Sequence, residues 1–461
     1  MLIKNRIYET DILRYGCNGE GIAEIEGMVV FIPYTLLGEH IEVKIVKVQK
    51  NYAYGRLMRI IKASPCRTVP KCPVYFKCGG CALLHSEYAN QLEIKKEIIK
   101  ASLRNICERD FIVHPSEQFG YRNKLQIPVQ SVDGKPECGF YRENSHDITP
   151  VNECLLQTGV SRKIISAVKE YMSECGVSAY DEKTGRGMVR HVVAREFGGG
   201  VAVVVVINGK ALPEPETLIG ILKNNFRDFS LFVNINTNRN NVVCSENYIK
   251  LYGSDVLKGE LNGIKLEISP QSFLQVNSGV ASALYNAAAK HVKGGIVIDA
   301  YSGIGVLSMM LAKQAKYVFG VEIIPEATEN ANRLAEINGI ANVCNLTGDC
   351  AEIIPELTAA VNAAKYGEKT PFPLPQNFNP QPGDKVVFVA DPPRKGLAEE
   401  VIAAVKKIKA DSIVYISCNP ATLARDLKML SPQYTLNRLS AYDMFPNTKH
   451  CEVLAVLKRE K

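Results

Sequence analysis

No uninterrupted apolar run in the sequence reaches the roughly 18 residues that a membrane-spanning helix requires. Residues 1–6 also lack the apolar core of a secretory signal peptide. Both absences favour a cytoplasmic protein that does not enter a membrane. Because the cytoplasm is reducing, the 14 cysteines are not expected to pair as disulfides, and only cysteines with special spacing suggest a function.

The charge balance is modest. Lysine and arginine number 55 against 48 acidic residues, giving a net charge of +7, which is compatible with a nucleic-acid partner but does not identify one. The chain shows no internal repeat. Its 461 residues, 46% of them hydrophobic, are enough for two or three domains at roughly 100–200 residues per domain.

Residues 1–62 alternate apolar and polar positions in short runs broken by glycine, a pattern that predicts a small OB-like β-barrel. Basic residues in this stretch are interleaved with Tyr52 and Tyr54, as on a surface that binds nucleic acid. These basic residues are Lys44, Lys47, Lys50, Arg56 and Arg59. A solvated strand face explains the same pattern equally well, so this segment alone does not decide between the two interpretations.

Residues 63–265 are predicted to form a central α+β domain. It begins with a cysteine-rich loop, followed by a helix from Ser86 to about Ile106 whose apolar residues recur at helical spacing. Lys95 and the lysines near it are expected on the surface of this helix. Farther along, residues 201–207 read as a buried strand, but the rest of the domain contains no recognisable catalytic pattern.

From residue 266 onward the pattern changes to repeated strand–turn–helix units, beginning with a helical run at 280–291. Such repetition predicts an α/β domain with a Rossmann-like parallel sheet over residues 266–461. Residues 365–384 interrupt it with too many prolines for a helix or a central strand. We interpret them as a surface insertion and expect them to be mobile.

A glycine turn follows the first buried strand of this region. Residues 297–305 read Val-Ile-Asp-Ala-Tyr-Ser-Gly-Ile-Gly, and the two glycines permit close approach of a ligand to the backbone. The complete Gly-x-Gly-x-x-Gly of dinucleotide-binding folds is absent, because position 308 is serine. Glu322, at the end of the next strand, is placed to accept both hydroxyls of a ribose, and Asp349 stands where an adenine contact would fall.

Asp299, Glu322 and Asp349 thus form an ordered acidic series along the predicted strands. Such a series is typical of folds that bind S-adenosylmethionine. A doubly wound domain that merely has tight turns is the alternative, and a single Gly-x-Gly turn would not exclude it.

Two further strand ends carry reactive side chains. One strand leads into the segment Asp391-Pro-Pro-Arg and the other into Cys418-Asn-Pro, and near the C-terminus Glu452 follows His450. In an open α/β sheet such strand ends converge on one crevice. We therefore expect these side chains to lie close together.

One reaction needs this combination of groups. Carbon 5 of uracil is a poor nucleophile, but a thiolate that adds to carbon 6 gives an enolate whose carbon 5 can attack a methyl sulfonium. A base must then remove the carbon 5 proton, and another group must stabilise the enolate. Cys418, Glu452 and Asp391 meet these needs, although Cys418 taken alone would more often be an ordinary buried thiol. His450 is the rival base, and a structural hydrogen-bonding role is the alternative for it.

These segments together resemble the RNA uracil-5-methyltransferases, the family that includes the bacterial ribosomal RNA and tRNA enzymes. The resemblance covers nearly the whole chain and depends on five segments: Ser-Phe-Leu-Gln-Val-Asn at 272–277, the glycine turn at 299–305, Asp-Pro-Pro-Arg at 391–394, Ser-Cys-Asn-Pro at 417–420 and Phe-Pro-x-Thr-x-His-x-Glu at 445–452. It implies that residues 1–62 are a TRAM domain, an RNA-binding barrel.

The resemblance also implies roles for individual residues. It makes Cys418 the nucleophile and Glu452 the proton acceptor. It assigns cofactor binding to four residues: Gln275, Tyr301, Glu322 and Asp391. The chain departs from the family at Ser302, where cysteine is common, and at Cys451, where valine is usual. Neither departure touches a proposed role, and Ser302 argues against a catalytic use of that position.

Three cysteines, Cys72, Cys78 and Cys81, lie close together in a glycine-bearing loop, and with a distant fourth they would bind a metal ion or an iron–sulfur cluster. Their spacing lacks the paired Cys-x2-Cys of a zinc ribbon and the Cys-x3-Cys-x2-Cys of radical enzymes. The family resemblance implies a [4Fe–4S] cluster on these three and Cys154, with a structural or RNA-positioning role because methylation moves no electrons. Free thiols are the alternative. Two further thiols could compete as ligands: Cys66 and, more weakly, Cys138.

Two other classes of protein share some of these features. A non-catalytic RNA-binding iron–sulfur protein would keep the barrel and the cluster but not Cys418 together with Glu452. A radical methylthiolating enzyme also joins a TRAM domain to iron–sulfur, but its cluster motif and barrel fold are absent here and its TRAM domain lies at the other end. We therefore expect a monomeric enzyme that acts on RNA. 23S ribosomal RNA is favoured over tRNA, because tRNA members of the family commonly lack the N-terminal barrel and the cysteine motif.

Overall fold

Four β-sheets organise residues 2–460, the part of the chain that the computed structural model describes. These residues fall into two units. The first contains the N-terminal region up to Lys71, Cys81–Ser116 and the chain from Ala283 onward, and the second contains Cys72–Gly80 and Glu117–Ser282. Among residues 2–460, none of the helices combines the length and the apolar character needed to span a bilayer.

The N-terminal sheet has six strands: β1 Ile7–Asp11, β2 Arg14–Tyr15, β3 Gly21–Ile25, β4 Met28–Ile32, β5 His40–Val48 and β6 Tyr52–Lys62. They pair in the order β1-β5-β6-β4-β3-β2. Buried and exposed residues alternate along β5, so one side of the sheet fills with a core that includes Val30, Ile41 and Val43. A β-carbon at Gly55 would overlap the Val43 side chain, which explains why β6 has glycine there. The short strands predicted for this region are confirmed.

A segment without helix or regular strand joins this sheet to α1, which spans Tyr88–Ser102. Arg67 in this segment donates to both carboxylate oxygens of the buried Glu39, at 2.5 and 2.8 Å, and so ties the segment to the barrel. The helix is shorter than predicted, and Glu87 rather than Ser86 precedes it. The short strand β7, Val113–His114, follows.

The second unit contains a seven-stranded sheet, a hairpin and two helices. Their bounds are β8 Lys124–Val132, β9 Lys135–Tyr141, β10 Ile148–Pro150, α2 Val160–Glu174, β11 Val189–Phe197, β12 Gly200–Ile207, α3 Pro215–Asn225, β13 Phe229–Ile235, β14 Tyr248–Tyr252, β15 Leu257–Leu261 and β16 Ile264–Ile268. The sheet order is β10-β9-β8-β11-β12-β13-β14, and β15 pairs with β16. Both α2 and α3 pack their apolar residues on this sheet. Strand β12 is buried along its whole length, as predicted for residues 201–207.

Alternating helices and strands fill the rest of the chain: α4 Ser278–Ala289, β17 Ile296–Ala300, α5 Val306–Ala312, β18 Tyr317–Glu322, α6 Pro325–Ile337, β19 Val343–Thr347, α7 Cys350–Lys365, β20 Val386–Ala390, α8 Glu399–Ile408, β21 Ser412–Ser417, α9 Pro420–Leu430, β22 Tyr434–Tyr442 and β23 Glu452–Arg459. Their strands join β7 in one sheet, in the order β19-β18-β17-β20-β21-β23-β22-β7. Strands β17 to β21 run parallel, and β23 is antiparallel to both β21 and β22. The predicted α/β architecture is confirmed.

Strand β17 lies between β18 and β20, so the order of the parallel strands reverses there. In open α/β sheets, ligands bind in the crevice beyond the carboxyl ends of the strands at such a point. Strands β17 and β20 are buried throughout, as expected for parallel strands covered on both faces. One of these faces packs against α1, α7, α8 and α9.

The proline-rich insertion contains no helix or strand between α7 and β20, as predicted. It is nevertheless anchored to β18. Phe378 is buried against the rings of Tyr317 and Phe319, at centroid distances of 5.1 and 4.9 Å. Tyr317 also donates its hydroxyl to the Asn377 side chain at 3.0 Å. Phe378 therefore attaches this part of the insertion to the core, and the mobility of the insertion stays a prediction.

Helix α1 holds the segment between β22 and β23 through buried polar contacts. Lys95 is 1% exposed, forms an ion pair with Asp443 and donates from Nζ to the Phe445 carbonyl at 3.0 Å. Tyr88 donates its hydroxyl to the same Asp443 carboxylate at 3.0 Å. The prediction that Lys95 lies on the surface is wrong. Its charge is paired with that of Asp443, and a paired lysine can be buried.

Asn447, in the same segment, is also held on every side. The Gln91 side chain donates to its amide oxygen at 3.1 Å and accepts from its backbone N–H at 3.0 Å. The backbone N–H groups of Ala82 and Leu83 both donate to the Asn447 carbonyl at 3.0 Å. These bonds fix Asn447 in a left-handed conformation, with φ of 66°, five residues before Glu452.

Replacing Lys95 by methionine should destabilise the protein strongly, because Asp443 would keep a buried charge without its partner. Breaking a buried ion pair from one side costs roughly 3–5 kcal/mol. The double variant Lys95→Met/Asp443→Asn should lose much less, since both charges are gone and asparagine still accepts the Tyr88 hydroxyl. Thermal unfolding midpoints of the wild type and the two variants test this.

Lys96→Met is the matched control. Lys96 is the next residue of α1, and its amine pairs at 2.9 Å with the exposed Asp110. Exposed ion pairs contribute little, so this change should hardly move the midpoint. Equal midpoints for Lys95→Met and Lys96→Met would contradict the importance of the buried pair.

Candidate functional site

The turn between β17 and α5 has left-handed backbone at three positions. Tyr301, Gly303 and Gly305 have φ values of 63°, 56° and 75°. Glycine adopts this conformation without cost, whereas Tyr301 does so at an energetic cost of roughly 1–2 kcal/mol. Such strain is typical of residues that a binding site holds in place. The turn predicted from the glycine pattern is therefore present at the carboxyl end of β17.

Asp299, near the carboxyl end of β17, supports this turn. It is buried, and the Ser308 hydroxyl donates to its carboxylate at 2.5 Å. Burial, together with the nearby carboxylates of Asp391 and Glu322, raises the pKa of Asp299 to about 7. The contact with Ser308 joins β17 to α5, so Asp299 helps to fix the conformation of the turn between them.

Glu322 lies at the carboxyl end of β18, beside the turn. Its two carboxylate oxygens accept from the backbone N–H groups of Gly303 and Ile324, at 2.9 and 3.0 Å. Each carboxylate oxygen has two lone pairs, so each keeps one acceptor position for a ligand hydroxyl. This geometry suits the predicted contact with a ribose.

Two buried polar atoms close to Gly320 have no hydrogen-bond partner within residues 2–460. They are the Ser302 hydroxyl oxygen and the Asn345 amide oxygen. A β-carbon at position 320 would lie 3.0 and 2.8 Å from them, so only glycine fits between them. Asp349 is exposed at the start of α7, where its side chain accepts from the Ala351 N–H at 2.9 Å. This end of the sheet thus offers polar groups to a ligand.

Gln275 belongs to the second unit. It is buried, and its backbone carbonyl accepts from the Asn123 side chain at 3.2 Å. Asn123 also donates to the Ser278 hydroxyl at 2.9 Å, which fixes this segment just before α4. The role of Gln275 in cofactor binding stays a prediction.

The pairing of β21 with β23 brings Cys418 beside Glu452. Ser417 lies opposite Val453 in this antiparallel pair, so the next residue of one strand faces the preceding residue of the other. Strand β20 pairs with β21 on its other side and ends at Ala390, directly before Asp391. The three side chains that the sequence predicted to converge therefore do so at one edge of the sheet.

The carboxylates of this site raise the pKa values of the ionisable groups beside them. Burial, followed by the carboxylates of Glu452 and Asp391, raises the pKa of the Cys418 thiol to about 11. Burial and the Asp391 carboxylate raise the pKa of Glu452 well above its ordinary value, and burial raises that of Asp391 to about 7. The guanidinium of Arg394 acts in the opposite direction on both Cys418 and Glu452. The site therefore favours the protonated forms of its acids.

Arg394 gained no individual role from the sequence, where it appeared only as the last residue of Asp-Pro-Pro-Arg. The start of α9 fixes its position: the side chains of Asn419 and Thr422 both donate to its carbonyl, at 3.1 and 3.2 Å. Asn419 also caps α9 by accepting from the Ala421 N–H at 3.1 Å. Because Asn419 follows Cys418 directly, the same residue links the thiol to the loop that supplies the positive charge.

His450 lies two residues before Glu452 in a cationic environment. Burial, followed by the charges of Arg394, Lys449 and Lys95, lowers its pKa to about 4. A neutral imidazole at pH 7 remains able to accept a proton, but a conjugate acid this strong makes it a weak base. Glu452, with its raised pKa, is the stronger candidate for proton removal.

The cysteines fall into both units, and all 14 are free thiols. Within residues 2–460, no group of three or more cysteine, histidine or acidic side chains has the arrangement of a metal site. Cys72, Cys78 and Cys154 nevertheless interact: burial, then the thiols of Cys154 and Cys72, raise the pKa of Cys78. Backbone N–H groups also point at two of these sulfurs, from Gly80 to Cys78 at 3.4 Å and from residues 156 and 157 to Cys154.

Curated relatives match the chain from end to end. An RNA methyltransferase of Halalkalibacterium halodurans is 39% identical over 99% of this chain and 97% of its own length. An RNA methyltransferase of Caldanaerobacter subterraneus is 38% identical over 98% of both chains. Neither name specifies the base or the RNA that is modified.

A solved structure matches over the same extent. The crystal structure of Pyrococcus abyssi tRNA (uracil-54, C5)-methyltransferase in complex with S-adenosyl-L-homocysteine has a TM-score of 0.77 and 28% sequence identity, covering 98% of this chain and 100% of that one. The profile of the TRAM domain matches residues 4–58, and the profile described as tRNA (Uracil-5-)-methyltransferase matches residues 87–460. The chain is an RNA methyltransferase that belongs to the tRNA (uracil-5-)-methyltransferase family.

Proposed function

We propose that this enzyme methylates carbon 5 of a uracil in cytoplasmic RNA through a covalent bond between Cys418 and carbon 6 of the base. The observation that carries the proposal is the pairing of β21 with β23, which sets Cys418 beside Glu452 and next to Asp391. Membership of the family supplies the class of reaction. The paired strands supply a nucleophile and a base at one edge of the sheet.

The reaction takes three steps. The thiolate of Cys418 adds to carbon 6, and the electrons of the carbon 5–carbon 6 double bond move to the carbonyl oxygen on carbon 4. As the carbonyl on carbon 4 re-forms, carbon 5 bonds to the methyl group of bound S-adenosylmethionine, the methyl–sulfur bond breaks, and S-adenosylhomocysteine is the leaving group. Glu452 accepts the proton from carbon 5, the double bond re-forms, and the thiolate of Cys418 leaves.

The electrostatics of the site suit these steps. A raised pKa makes the Glu452 carboxylate a stronger base than an ordinary carboxylate. One of its oxygens is buried and has no hydrogen-bond partner within residues 2–460, so it is available to the carbon 5 proton. Asp391, with its pKa raised to about 7, can donate a hydrogen bond to the enolate oxygen from its protonated form. Arg394 favours the anionic forms of Cys418 and Glu452.

The cofactor is proposed to bind at the carboxyl ends of β17 to β20. The carboxylate oxygens of Glu322 keep spare acceptor positions that suit ribose hydroxyls. The unpaired oxygens of Ser302 and Asn345 fit a polar ligand. The full proposed set is Gln275, Tyr301, Glu322, Asp349 and Asp391.

Variants of Cys418 and Glu452 should fail at different steps. Cys418→Ala removes the nucleophile, so neither product nor covalent intermediate should form. Glu452→Gln leaves attack and methyl transfer intact but cannot accept the carbon 5 proton. It should accumulate a methylated RNA–protein adduct that survives denaturing gel electrophoresis and requires S-adenosylmethionine. Because burial already favours the neutral form of the native carboxyl, glutamine should preserve the fold.

His450→Gln is the matched control for the base. It should turn over and trap no adduct, because Glu452 remains. The base would be His450 if His450→Gln trapped RNA while Glu452→Gln turned over normally. An active Cys418→Ala variant would rule out the thiolate mechanism altogether.

The RNA substrate is proposed to be 23S ribosomal RNA, with tRNA as the second candidate. The N-terminal barrel no longer separates the two, because the tRNA enzyme of Pyrococcus abyssi aligns with 98% of this chain. That likeness favours a tRNA uridine, whereas the cysteine motif at 72–81 favours ribosomal RNA through the family resemblance. Both candidates place the same chemistry at Cys418.

Mapping of 5-methyluridine by mass spectrometry in a strain that lacks the gene should decide between them. We expect one or more positions of 23S ribosomal RNA to lose the methyl group, and plasmid-borne wild type to restore it. The Cys418→Ala variant serves as the matched control and should not restore it. Loss confined to tRNA would contradict the ribosomal assignment but not the reaction.

A [4Fe–4S] cluster is proposed on Cys72, Cys78, Cys81 and Cys154. Three of these thiols belong to the second unit. Burial and neighbouring thiols raise the pKa of Cys78 and Cys154, and the backbone N–H groups that point at these two sulfurs act in the opposite direction. Cluster irons are held by thiolates. The site fits such a group in its donor atoms, and the proposed role is structural.

Anaerobically purified protein should therefore contain about four irons per chain and absorb light near 400 nm, as expected for this type of cluster. Serine at any of the four proposed ligands should abolish both signals. Cys66→Ser is the control and should keep them. Iron lost in Cys66→Ser but kept in Cys154→Ser would show that the proposed ligand set is wrong.

A further inference from the structure

A groove of about 960 Å³ opens on the first unit between the end of α4 and strands β20 to β23. Its floor contains apolar side chains of the sheet, among them Val387, Leu454 and Val456. Six exposed cationic residues line it: Arg109, Lys290, Lys293, Lys385, Arg438 and Lys458. Neither the catalytic groups nor the proposed cluster use this groove.

The groove exists because helices cover the two faces of the sheet unequally. Alternation along β23 sends Ala455 and Leu457 into the core beneath α8 and α9, and sends Leu454, Val456 and Lys458 to the opposite face. Among the residues that line the groove on that opposite face, α4 is the only source of helical residues. The lining contains charged and polar side chains where a packed helix would need apolar ones. This face therefore suits a charged partner.

The positive charge of the groove is not neutralised by the protein. Within residues 2–460, none of the six cations forms an ion pair with a carboxylate. The two acidic residues of the lining are engaged elsewhere: Asp110 pairs with Lys96 and Lys100, and Asp411 accepts from the Val386 N–H at 2.9 Å and lies 3.5 Å from Arg459.

Four of the cations lower the pKa of the same side chain, that of His291. The imidazole of His291 has its pKa lowered by burial and then by the charges of Arg438, Lys290, Lys293 and Lys458. Four cations, from the segment after α4 and from β22 and β23, therefore lie near one side chain. Their concentration creates a positive field that attracts a polyanion.

The groove reaches from the catalytic edge of the sheet to the opposite edge. Tyr442, which lines one end, pairs with Glu452 in the β22–β23 register. Lys458 lies six residues farther along β23 than Glu452, which corresponds to roughly 20 Å at the rise of a β-strand. An RNA chain that leaves the active site along β22 and β23 would pass Arg438 and Lys458 and enter the groove that the other four cations line.

We propose that this groove binds the sugar–phosphate backbone of the substrate RNA at nucleotides remote from the target uracil. The inference rests on the proposed function in that the polyanion is the enzyme's own substrate. Repeated phosphates match several separate cations that form no ion pair with a carboxylate within residues 2–460, whereas one small anion would contact only a few of them. Continuity with the catalytic edge favours RNA over an acidic protein, which would have no reason to reach Tyr442.

The test compares two triple variants that remove the same charge. Lys290→Gln/Lys293→Gln/Lys458→Gln removes three of the six positive charges of the groove. Lys407→Gln/Lys409→Gln/Lys428→Gln neutralises three exposed lysines of α8, its C-terminal end and α9, the helices on the other face of the sheet. Binding of an unmodified 23S ribosomal RNA transcript is measured over a range of salt concentrations, without S-adenosylmethionine.

The groove variant should bind the transcript at least about tenfold more weakly at low salt, and its log–log salt slope should fall by about 0.7 for each lysine that contacted a phosphate. The control variant should match the wild type. Both variants should keep the wild-type unfolding midpoint, since all six residues are exposed. Methyl transfer to a short stem–loop carrying the target uridine should be equal in all three proteins.

Equal affinity and slope for the groove and control variants would overturn the proposal. Displacement of the RNA by polyglutamate, at a carboxylate concentration equal to that of the RNA phosphates, would also overturn it and point to an acidic protein. Displacement by pyrophosphate at equal phosphate concentration would overturn it as well and point to a small anion. The binding assay contains no methyl donor, so its outcome does not depend on the chemistry at Cys418. A wild type that binds the transcript through the groove yet methylates no uridine would contradict the proposed function alone.

Discussion

The ion pair of Lys95 with Asp443 is the interaction on which the rest of the candidate site depends. It lies inside the protein, where two charges are stable only when each satisfies the other. Through it, α1 fixes the segment that leads from β22 into β23 and so into Glu452. The bonds of Gln91 to Asn447 fix the same segment a few residues later. These buried polar contacts therefore set the position of Glu452, the proposed base.

Opposing electrostatic effects act on the ionisable groups of the site: burial favours their neutral forms, and Arg394 favours the anionic forms of Cys418 and Glu452. A thiol and three carboxyl groups gather at the carboxyl edge of the sheet, and burial favours the neutral form of each. The proposed chemistry at Cys418 nevertheless needs a thiolate. Arg394 supplies the counter-charge from a loop that α9 fixes, so the balance between neutral and ionised states depends on the hydrogen bonds at the start of one helix.

Much of the fold could be predicted because its causes are local. Buried parallel strands are uninterrupted apolar runs, and the glycines after them mark turns, so the α/β order of residues 266–461 was readable from the sequence. The convergence of Cys418 with Asp391 could be predicted because the carboxyl ends of neighbouring parallel strands meet at one edge. Glu452 reaches the same edge because β23 is antiparallel to β21 and begins there.

The features that could not be predicted depend on distant partners. Helical spacing treats a lysine as a surface residue, and only Asp443, far along the chain, explains the burial of Lys95. Phe378 attaches a proline-rich segment to β18 through a contact that no local pattern records. The cationic groove contains Arg109, Lys290 and Lys458, which come from three distant parts of the chain, so it forms only once β22 and β23 are paired beside the end of α4.

The antiparallel pairing of β21 and β23 has an evolutionary consequence. The chain leaves Cys418 through α9 and β22 and returns to Glu452 beside the point where it left. The backbone hydrogen bonds of the two strands, and not the number of residues between them, determine how far apart the thiol and the carboxylate lie. Insertions and deletions in the turn between α9 and β22 can therefore accumulate among homologues while Cys418 and Glu452 keep their relative geometry.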